Sequence, residues 1–150
     1  MIIKTSKKSL KNSKEEDNLV WIRNANLKLT TTGSNTTIDV RYTAIVNSLE
    51  RHMCSNGMVL ADFIEIWGID PPGSYTGNII LILPSERLPV TAGEGQQTIE
   101  RNRSITVTRA SLQEDPGIGD NDEIRCKITI KPYYMPDIAN GWTNQEVLLG

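Results

Sequence analysis

The chain has 150 residues, of which 38% are hydrophobic and 23% charged, and its formal net charge at pH 7 is −2. A length of this order favours one domain, which buries roughly two-thirds of the surface of its unfolded chain. The near-neutral charge excludes a general binder of polyanions, so any basic surface has to be local.

The N-terminal segment, residues 1–17, is rich in Lys, Ser and Asn and has no apolar periodicity, which predicts a disordered basic arm. Residues 18–150, with 11 basic and 15 acidic side chains, are predicted to form a single globular domain. Basic arms on acidic bodies are typical of proteins that meet anionic lipid, nucleic acid or an acidic partner. A solubilising tail is the alternative. The candidate binding residues are Lys4, Lys7, Lys8, Lys11 and Lys14.

The first predicted strand, residues 19–30, alternates between two faces, as a strand with one buried face does. The apolar positions that follow recur mostly at intervals of three and four, which predicts one principal amphipathic helix over about residues 36–54. Thr36 and Asp39 resemble a capping box at its start, and Gly57 suits its end. The stripe consists of Ile38, Tyr42, Ile45, Val46, Leu49 and Met53. The predicted partner-facing surface consists of Arg41, Asn47, Glu50 and Arg51.

The rest of the chain is predicted to be mostly strand. Residues 59–69 are rich in β-formers, and the apolar run 78–84 is typical of a central strand covered on both faces. Residues 123–131 alternate most cleanly, and Thr143 with Glu146 resembles the cap of a last short helix. The inward positions of the cleanest strand are Ile124, Cys126, Ile128 and Ile130. The order predicts an α+β fold, a mostly antiparallel β-sheet with the principal amphipathic helix packed on one face.

Basic side chains on the strands predicted over residues 97–110 and 123–131 are candidates for one basic face. They are Arg101, Arg103, Arg109, Arg125, Lys127 and Lys131. Such a face suits phosphate or nucleic acid. Aromatic residues are few and not interleaved with it, which argues against binding of single strands by base stacking.

The only histidine, His52, lies two residues before Cys54, but this spacing does not indicate catalysis. Residues i and i+2 of a helix do not face each other, and a cysteine nucleophile needs a base within hydrogen-bond reach. Together with Cys126 the pair supplies at most three soft ligands, whereas structural zinc sites use four. A histidine at a helix end and a small buried cysteine are the preferred interpretation. We therefore predict no enzyme, no metal and no cofactor.

Two further features bear on compartment and partners. The acidic turn at residues 114–123 lacks the ligand spacing of a helix–loop–helix calcium site, so a solvated turn or a docking site for a basic arm is predicted. Two cysteines are too few for a disulfide framework. No stretch approaches the roughly 20 apolar residues of a membrane span, and the N-terminus lacks the apolar core of a signal peptide. A reducing cytosol is expected.

The order of these features resembles the core of rhabdovirus matrix proteins. The resemblance covers residues 4–68 and 122–137, and rests on the arm, VWIRNANLKLT, IDVRYTAIVNSLERHMC, VLADFIEIWGI and EIRCKITIKPYYMPD. It implies a structural protein of the virion, without catalysis or a small-molecule substrate, that self-assembles and bridges the inner membrane face to the nucleocapsid in the host cytoplasm. The arm lysines carry that role. Because the arm has no Pro-Pro-x-Tyr motif, a plant-infecting member fits better.

Another assembly or binding module is the alternative, either a capsid- or tail-like β-protein or a carbohydrate-binding sandwich. A jelly roll is expected to show about eight strands and little helix. A strand in place of the predicted helix at residues 36–54 therefore favours this alternative. An enzyme would need an activity that depends on His52 or Cys54, and we expect both side chains to affect stability alone.

Overall fold

The computed structural model describes residues 20–69, 77–113, 122–133 and 139–149, and strands make up 72% of these positions. The elements are β1 (Val20–Thr32), β2 (Asn35–Val46), α1 (Ser48–Ser55), β3 (Leu60–Ile69), β4 (Gly77–Arg87), β5 (Gln97–Thr108), a 3₁₀ turn (Arg109–Leu112), β6 (Asp122–Pro132) and β7 (Ala139–Leu148). The predicted arm, residues 1–17, and residues 114–121 of the acidic turn lie outside the described ranges.

The strands form two antiparallel sheets that pack face to face. The smaller sheet has three strands in the order β1-β2-β5, and the larger has four in the order β4-β3-β6-β7. Buried apolar side chains of both sheets form a common cluster, as in a β-sandwich. The prediction of a mostly antiparallel β-sheet protein is confirmed.

The core follows the two-residue period of the strands. On β2 the even-numbered positions from Thr36 to Val46 are buried, and on β6 the four predicted inward positions are fully buried. Side chains on one face of a strand recur every second residue, so each sheet presents one apolar face to the other. The largest buried side chains of the central strands are Ile38 and Tyr42 on β2, Ile64 and Ile66 on β3, and Ile124, Ile128 and Ile130 on β6.

The principal helix predicted over residues 36–54 is wrong for its first part, which forms β2. Residues 35–46 pair along their whole length with both β1 and β5. Ile38, Tyr42 and Val46 recur every four residues, which fits a helical period and a strand period equally well. Val40 and Ala44 complete the buried strand face. The β-branched residues that fill this segment favour the strand.

The helix that does form, α1, has eight residues and begins after its own capping box. Asn47 Oδ1 accepts hydrogen bonds from the backbone N–H groups of Leu49 (2.9 Å) and Glu50 (3.0 Å), and Glu50 Oε2 accepts one from Asn47 N–H (2.7 Å). This reciprocal pair satisfies orphan donors at the helix start. Leu49 and Met53, predicted to be buried, are 54% and 38% exposed. The chain therefore lacks a long amphipathic helix at this place.

Two smaller predictions are also wrong. The apolar run at residues 78–84 lies in β4, which is an edge strand and not a central one. Thr143 and Glu146 lie in β7 and cap no helix. Thr143 is buried, and its hydroxyl accepts a hydrogen bond from Cys126 N–H at 2.8 Å. Strand pairing thus overrides both local patterns.

Asn144 closes the edge of the sandwich where β1 meets β7. It lies at a register shift of β7, opposite the segment of β6 between Arg125 and Lys127. Its side-chain amide accepts a hydrogen bond from Leu27 N–H (2.7 Å) and donates one to the Leu27 carbonyl (3.2 Å). The amide thereby replaces the backbone partners that a neighbouring strand would supply.

At the opposite edge of the sandwich, where β5 meets β4, a group of polar side chains forms hydrogen bonds and ion pairs with Asp62. The buried Asp62 carboxylate pairs with Arg103, and it accepts hydrogen bonds from the Tyr42 hydroxyl (2.6 Å) and Glu86 N–H (3.1 Å). Glu86 also pairs with Arg101 (2.8 Å) and with Arg103 Nε (3.3 Å). These groups join β2 and β5 of one sheet to β3 and β4 of the other.

Candidate binding face

The outer face of the four-stranded sheet carries aromatic side chains in register. Residues opposite each other on antiparallel strands share a face, so the pairing of β3, β6 and β7 arranges their outward side chains in rows. Three rows are Trp67–Arg125–Gln145, Glu65–Lys127–Trp142 and Phe63–Thr129–Asn140. Each of these rows therefore holds one aromatic ring and two polar or charged residues, of which Arg125 and Thr129 are buried.

We call this surface the aromatic–basic face. Its defining residues are Phe63, Trp67, Lys127, Lys131, Tyr133 and Trp142. The Trp67 and Trp142 rings meet edge to face, with centroids 5.3 Å apart and planes at 66°. Phe63 and Tyr133 are tilted at 6.4 Å. The chain has three Trp, four Tyr and one Phe, so aromatic residues are concentrated here.

Two lysines lie against these rings. Lys127 Nζ is 5.7 Å from the Trp142 ring centroid, and Lys131 Nζ is 4.6 Å from that of Phe63. Both distances are within the range of cation–π attraction. The Trp67 indole N–H donates a hydrogen bond to Glu65 Oε2 at 3.0 Å, which orients that ring. The face thus combines apolar ring surface with adjacent positive charge.

The aromatic–basic face continues onto the edge strand through two exposed isoleucines. Ile79 pairs with Trp67, and Ile82 pairs with Glu65. A register shift between these pairs inserts an extra residue in β4, so an odd and an even position point to the same side. Ile79 is 45% exposed and Ile82 60%. Exposed apolar side chains next to aromatic rings are typical of interaction surfaces.

The outer face of the three-stranded sheet has a different character. Its central positions on β2 include Asp39 and Arg41, which line a shallow polar hollow with residues of β1. Thr43 donates hydrogen bonds to the Glu100 carboxylate at 3.1 Å. Trp21 is a tryptophan on this side, where it pairs with Ile45. The two outer faces of the sandwich are therefore chemically distinct.

The predicted basic face divides between the two sheets. Arg101 and Arg103 lie on β5, and their guanidinium groups pair with Asp62 and Glu86 at the sandwich edge. The Arg109 guanidinium donates to the Leu149 carbonyl. The remaining three residues, Arg125, Lys127 and Lys131, lie on the outer side of β6. One contiguous basic face of six residues does not form, because β5 and β6 belong to different sheets.

The predicted partner-facing surface on the helix does not form either. Arg41 lies on β2, Asn47 caps α1, and Glu50 is buried. Arg51 donates four hydrogen bonds to backbone carbonyls of residues 91–95, at 2.8–3.2 Å. The side chains of Asn47, Glu50 and Arg51 thus form hydrogen bonds with backbone groups of the chain itself. Burial raises the pKa of Glu50 to about 7.

The histidine and the cysteines do not assemble a site. His52 is exposed on α1, where Asn56 Nδ2 lies 3.4 Å from its Nε2. Cys54 is half-buried and Cys126 is buried, and burial raises the pKa of both thiols. A raised thiol pKa opposes formation of the nucleophilic thiolate. Among the described residues no group of His, Cys, Asp and Glu has the arrangement of a metal site.

The buried cluster around Asp62 is a cross-sheet connection. The Tyr42 hydroxyl lies within it, and burial together with the neighbouring Asp62 raises the pKa of Tyr42 well above its usual range. Tyr42 therefore stays a neutral hydrogen-bond donor. The Arg101 guanidinium pairs with Glu86 and the Arg103 guanidinium pairs with Asp62, so the charges of this cluster are paired with charges of opposite sign. This geometry suits structural support.

The sequence-based interpretation named Lys127 and Lys131 but missed the aromatic residues of this face. Phe63 and Trp67 on β3 are far in the chain from Tyr133 and Trp142, and only strand pairing brings the two pairs together. The sequence contained one indication of it, because Phe63, Glu65 and Trp67 occupy every second position of β3 and therefore share one face of that strand. The predicted arm lysines lie outside the described residues, and the described ranges contain no helix that is long and apolar enough to span a membrane.

Comparisons with known proteins show a fold relationship. No protein-family model and no curated protein matches the chain. A solved structure of a bacterial adhesin from Mobiluncus mulieris, containing intramolecular disulfide, isopeptide and ester bond cross-links, is similar with a TM-score of 0.58 and 10% identity. The match covers 87% of this chain and 57% of the adhesin chain, so the chain spans a little over half of that protein's length. At this identity the similarity concerns the fold alone.

Proposed function

We propose that this chain is a non-catalytic β-sandwich binding module that binds carbohydrate through the aromatic–basic face. The observation that carries the proposal is the row arrangement, in which each ring has polar neighbours on the adjoining strands. A sugar ring has apolar C–H faces that stack on aromatic rings, and its hydroxyl groups need hydrogen-bond partners when they leave water. The row Glu65–Lys127–Trp142, in which all three side chains are partly exposed, supplies both.

The fold supports the alternative that the sequence left open. A strand in place of the predicted helix favours a β-sandwich module, and residues 35–46 form such a strand at the centre of the smaller sheet. The name of the similar bacterial adhesin is in keeping with a binding role. The aromatic–basic face also has the composition of energetic hot spots, which are enriched in Trp and Tyr.

A glycan array probed with the whole chain tests the proposal. We expect the wild type to bind, and the double variant Trp67→Ala/Trp142→Ala to lose about tenfold or more in affinity, because aromatic anchors dominate such contacts. Trp21→Ala is the matched control, since it removes a tryptophan from the opposite face. Circular dichroism of each variant verifies the fold. Failure of the wild type to bind any glycan, or unchanged binding by the double variant, would contradict the proposal.

A second proposal is the viral matrix function, in which the chain self-assembles and bridges an anionic membrane to a nucleocapsid. The observation that favours it is the charge layout, with five lysines and no acid in residues 1–14 and a net charge of −4 over residues 18–150. The resemblance behind it is weakened, since half of its helix forms β2.

Sedimentation with anionic liposomes tests the matrix proposal. Each lysine near an anionic surface contributes about 1 kcal/mol, and this attraction is screened by salt. We therefore expect binding at low salt that is lost at high salt, and lost when the five arm lysines are replaced by Gln. Binding that depends on neither change would rule out the arm as the membrane contact.

A further inference from the structure

We propose that two copies of this chain pair through the open edge of β4, antiparallel and with Ile79 of one copy opposite Ile82 of the other. The inference concerns the edge of the larger sheet and is independent of carbohydrate binding. Among the described strands β4 is the last in that sheet and pairs with β3 alone. Ile79 and Ile82 are 45% and 60% exposed on this strand.

The hydrogen bonds at the start of β3 show which of its residues bond to β4. The Leu60 carbonyl accepts a hydrogen bond from Leu88 N–H, directly after β4, at 2.8 Å. The Val59 carbonyl accepts one from Tyr133 N–H, directly after β6, at 3.1 Å. The backbone groups of a strand alternate between its two neighbours, and the register of β3 with β6 is unbroken from Leu60 to Gly68. Even-numbered residues of β3 therefore bond to β4, and odd-numbered residues bond to β6.

This alternation turns backbone groups of Ile79 and Ile82 to the open edge. Their partners in β3 are Trp67 and Glu65, which are odd-numbered and bond to β6. Ile79 and Ile82 therefore stand in non-hydrogen-bonded pairs with β3, and their own N–H and C=O groups point away from it. Outside the pairing of β3 with β4, no hydrogen bond of the described residues reaches these groups.

A second copy of β4 is a matched partner for this edge. Ile79 and Ile82 are three residues apart, but the bulge between them places them opposite β3 residues that are only two apart. Their outward backbone groups thus keep the spacing of a regular strand. About a two-fold axis each Ile79 meets Ile82 of the partner subunit, and each meeting exchanges two backbone hydrogen bonds. A foreign strand without this bulge would not match the spacing on both sides.

The side chains and the charge of this edge also suit a second copy. Cross-strand partners share a face, so the pairing would gather four isoleucine side chains on one side of a continuous sheet. Natural edge strands prevent such pairing with Lys, Pro or inward-pointing charges. Residues 77–83, GNIILIL, contain no charged residue and no proline. Two copies would therefore meet without like-charge contacts, while exposed apolar surface leaves water.

The size of the contact predicts a weak, reversible dimer. Two short strand segments with partly exposed side chains bury on the order of 700 Å² in total, below the roughly 1,200–2,000 Å² of stable interfaces. We therefore expect a dissociation constant between about 10 μM and 1 mM. Neighbouring strands lie about 4.8 Å apart, so the two β3 strands would be about 14 Å apart. Both aromatic–basic faces would then lie on the same side of the dimer.

Sedimentation equilibrium of the whole chain from about 10 μM to 1 mM tests the inference. We expect a reversible monomer–dimer equilibrium. The variant Ile79→Lys/Ile82→Lys should weaken it about tenfold or more, because ammonium groups would be desolvated beside one another. Val147→Lys/Leu149→Lys is the matched control, since it makes the same change at two exposed apolar positions elsewhere, and it should associate as the wild type does. Circular dichroism of each variant verifies the fold.

Disulfide formation between two variants tests the register. Ile79→Cys and Ile82→Cys are each made together with Cys54→Ser, which leaves the buried Cys126 as the remaining native cysteine. Oxidation of an equimolar mixture should give about fivefold or more covalent dimer than either variant alone. The reason is that only the mixed pair places two thiols opposite each other, within the reach of a disulfide.

Each contrary outcome overturns the inference. A monomer at every concentration does so, as does a dimer that Ile79→Lys/Ile82→Lys leaves unchanged. Equal weakening by the control variant means that association is a general property of exposed apolar side chains. Equal covalent yield from the mixture and from the single variants refutes the register and with it the proposed pairing. Growth beyond the dimer is also contradictory, because a two-fold pair leaves no β4 edge open. None of these results bears on the glycan-array test.

Discussion

Replacement of Glu50 by Gln tests how the structure links stability to pH. The Glu50 side chain is 1% exposed, its Oε2 accepts Asn47 N–H at 2.7 Å, and its Oε1 has no hydrogen-bond partner among the described residues. Burial disfavours the charged carboxylate and raises the pKa of Glu50 from 4.5 to about 7. The Gln amide keeps an oxygen that accepts the same backbone hydrogen bond, but it cannot ionise.

The sign and size of the effect follow from the two pKa values. Between pH 4.5 and 7 the unfolded chain has released the Glu50 proton while the folded chain still holds it. The free energy of unfolding therefore falls as pH rises through this window and levels off above it. Each pKa unit corresponds to about 1.4 kcal/mol, so the loss is up to about 3 kcal/mol. We expect Glu50→Gln to match the wild type near pH 4 and to exceed it at pH 8.

Urea unfolding between pH 4 and pH 8 measures this difference. With slopes of roughly 1–3 kcal/mol per molar urea for small proteins, the variant's midpoint at pH 8 should lie about 1–3 M above that of the wild type. Glu94→Gln, which removes the same charge from an exposed loop, is the control and should follow the wild-type profile. Parallel profiles of the wild type and Glu50→Gln across the whole range would refute the reasoning, because they would mean that Glu50 ionises freely in the folded chain.

Three further changes test the packing of the sandwich. Asn144→Ala leaves the N–H and carbonyl of the buried Leu27 without their side-chain partners. Unfolding experiments should show that the free energy of unfolding falls by about 2–4 kcal/mol. A decrease below about 0.5 kcal/mol would mean that water replaces the amide. Tyr42→Phe removes a 2.6 Å hydrogen bond to the Asp62 carboxylate, which should cost about 1.5–3 kcal/mol, and an unchanged Tm would contradict this. Gly77→Ala would bring a Cβ into collision with the Gly68 carbonyl oxygen of β3. Calorimetry should therefore show a lower Tm and a loss of about 1–3 kcal/mol or more in the free energy of unfolding. Wild-type stability of this variant would mean that the strand end adjusts without cost.

Some of the fold can be predicted from local pattern because a strand with one buried face alternates in sequence. The alternation in β6 correctly predicted its four buried positions, and the apolar segment before Ile69 correctly predicted β3. The same reasoning failed for β2, where Ile38, Tyr42 and Val46 satisfy two periods at once. Tertiary pairing on both sides of β2 decides in favour of the strand.

The aromatic part of the candidate site could not be predicted because it depends on strand order and register. Arg103 and Lys127 occupy similar positions in polar, alternating segments, so the sequence does not distinguish them. In the structure Arg103 pairs with the buried Asp62 between the sheets, whereas Lys127 lies on an outer face. A register shift in β4 turns Ile79 and Ile82 to the same side although their numbers differ in parity. Such bulges arise from the pairing of strands that are distant in the chain.

By itself the sequence determined a β-rich chain, the alternating core of its clearest strands and a charge balance close to neutral, since these depend on composition and on neighbours a few residues apart. Only the tertiary structure decided that residues 35–46 are a strand, that β5 and β6 lie in different sheets, and that Phe63, Trp67 and Trp142 share one face with Lys127 and Lys131. Hydrogen bonding between strands far apart in sequence sets which side chains become neighbours. The alternation within one strand does not indicate which other strand it pairs with or in which register.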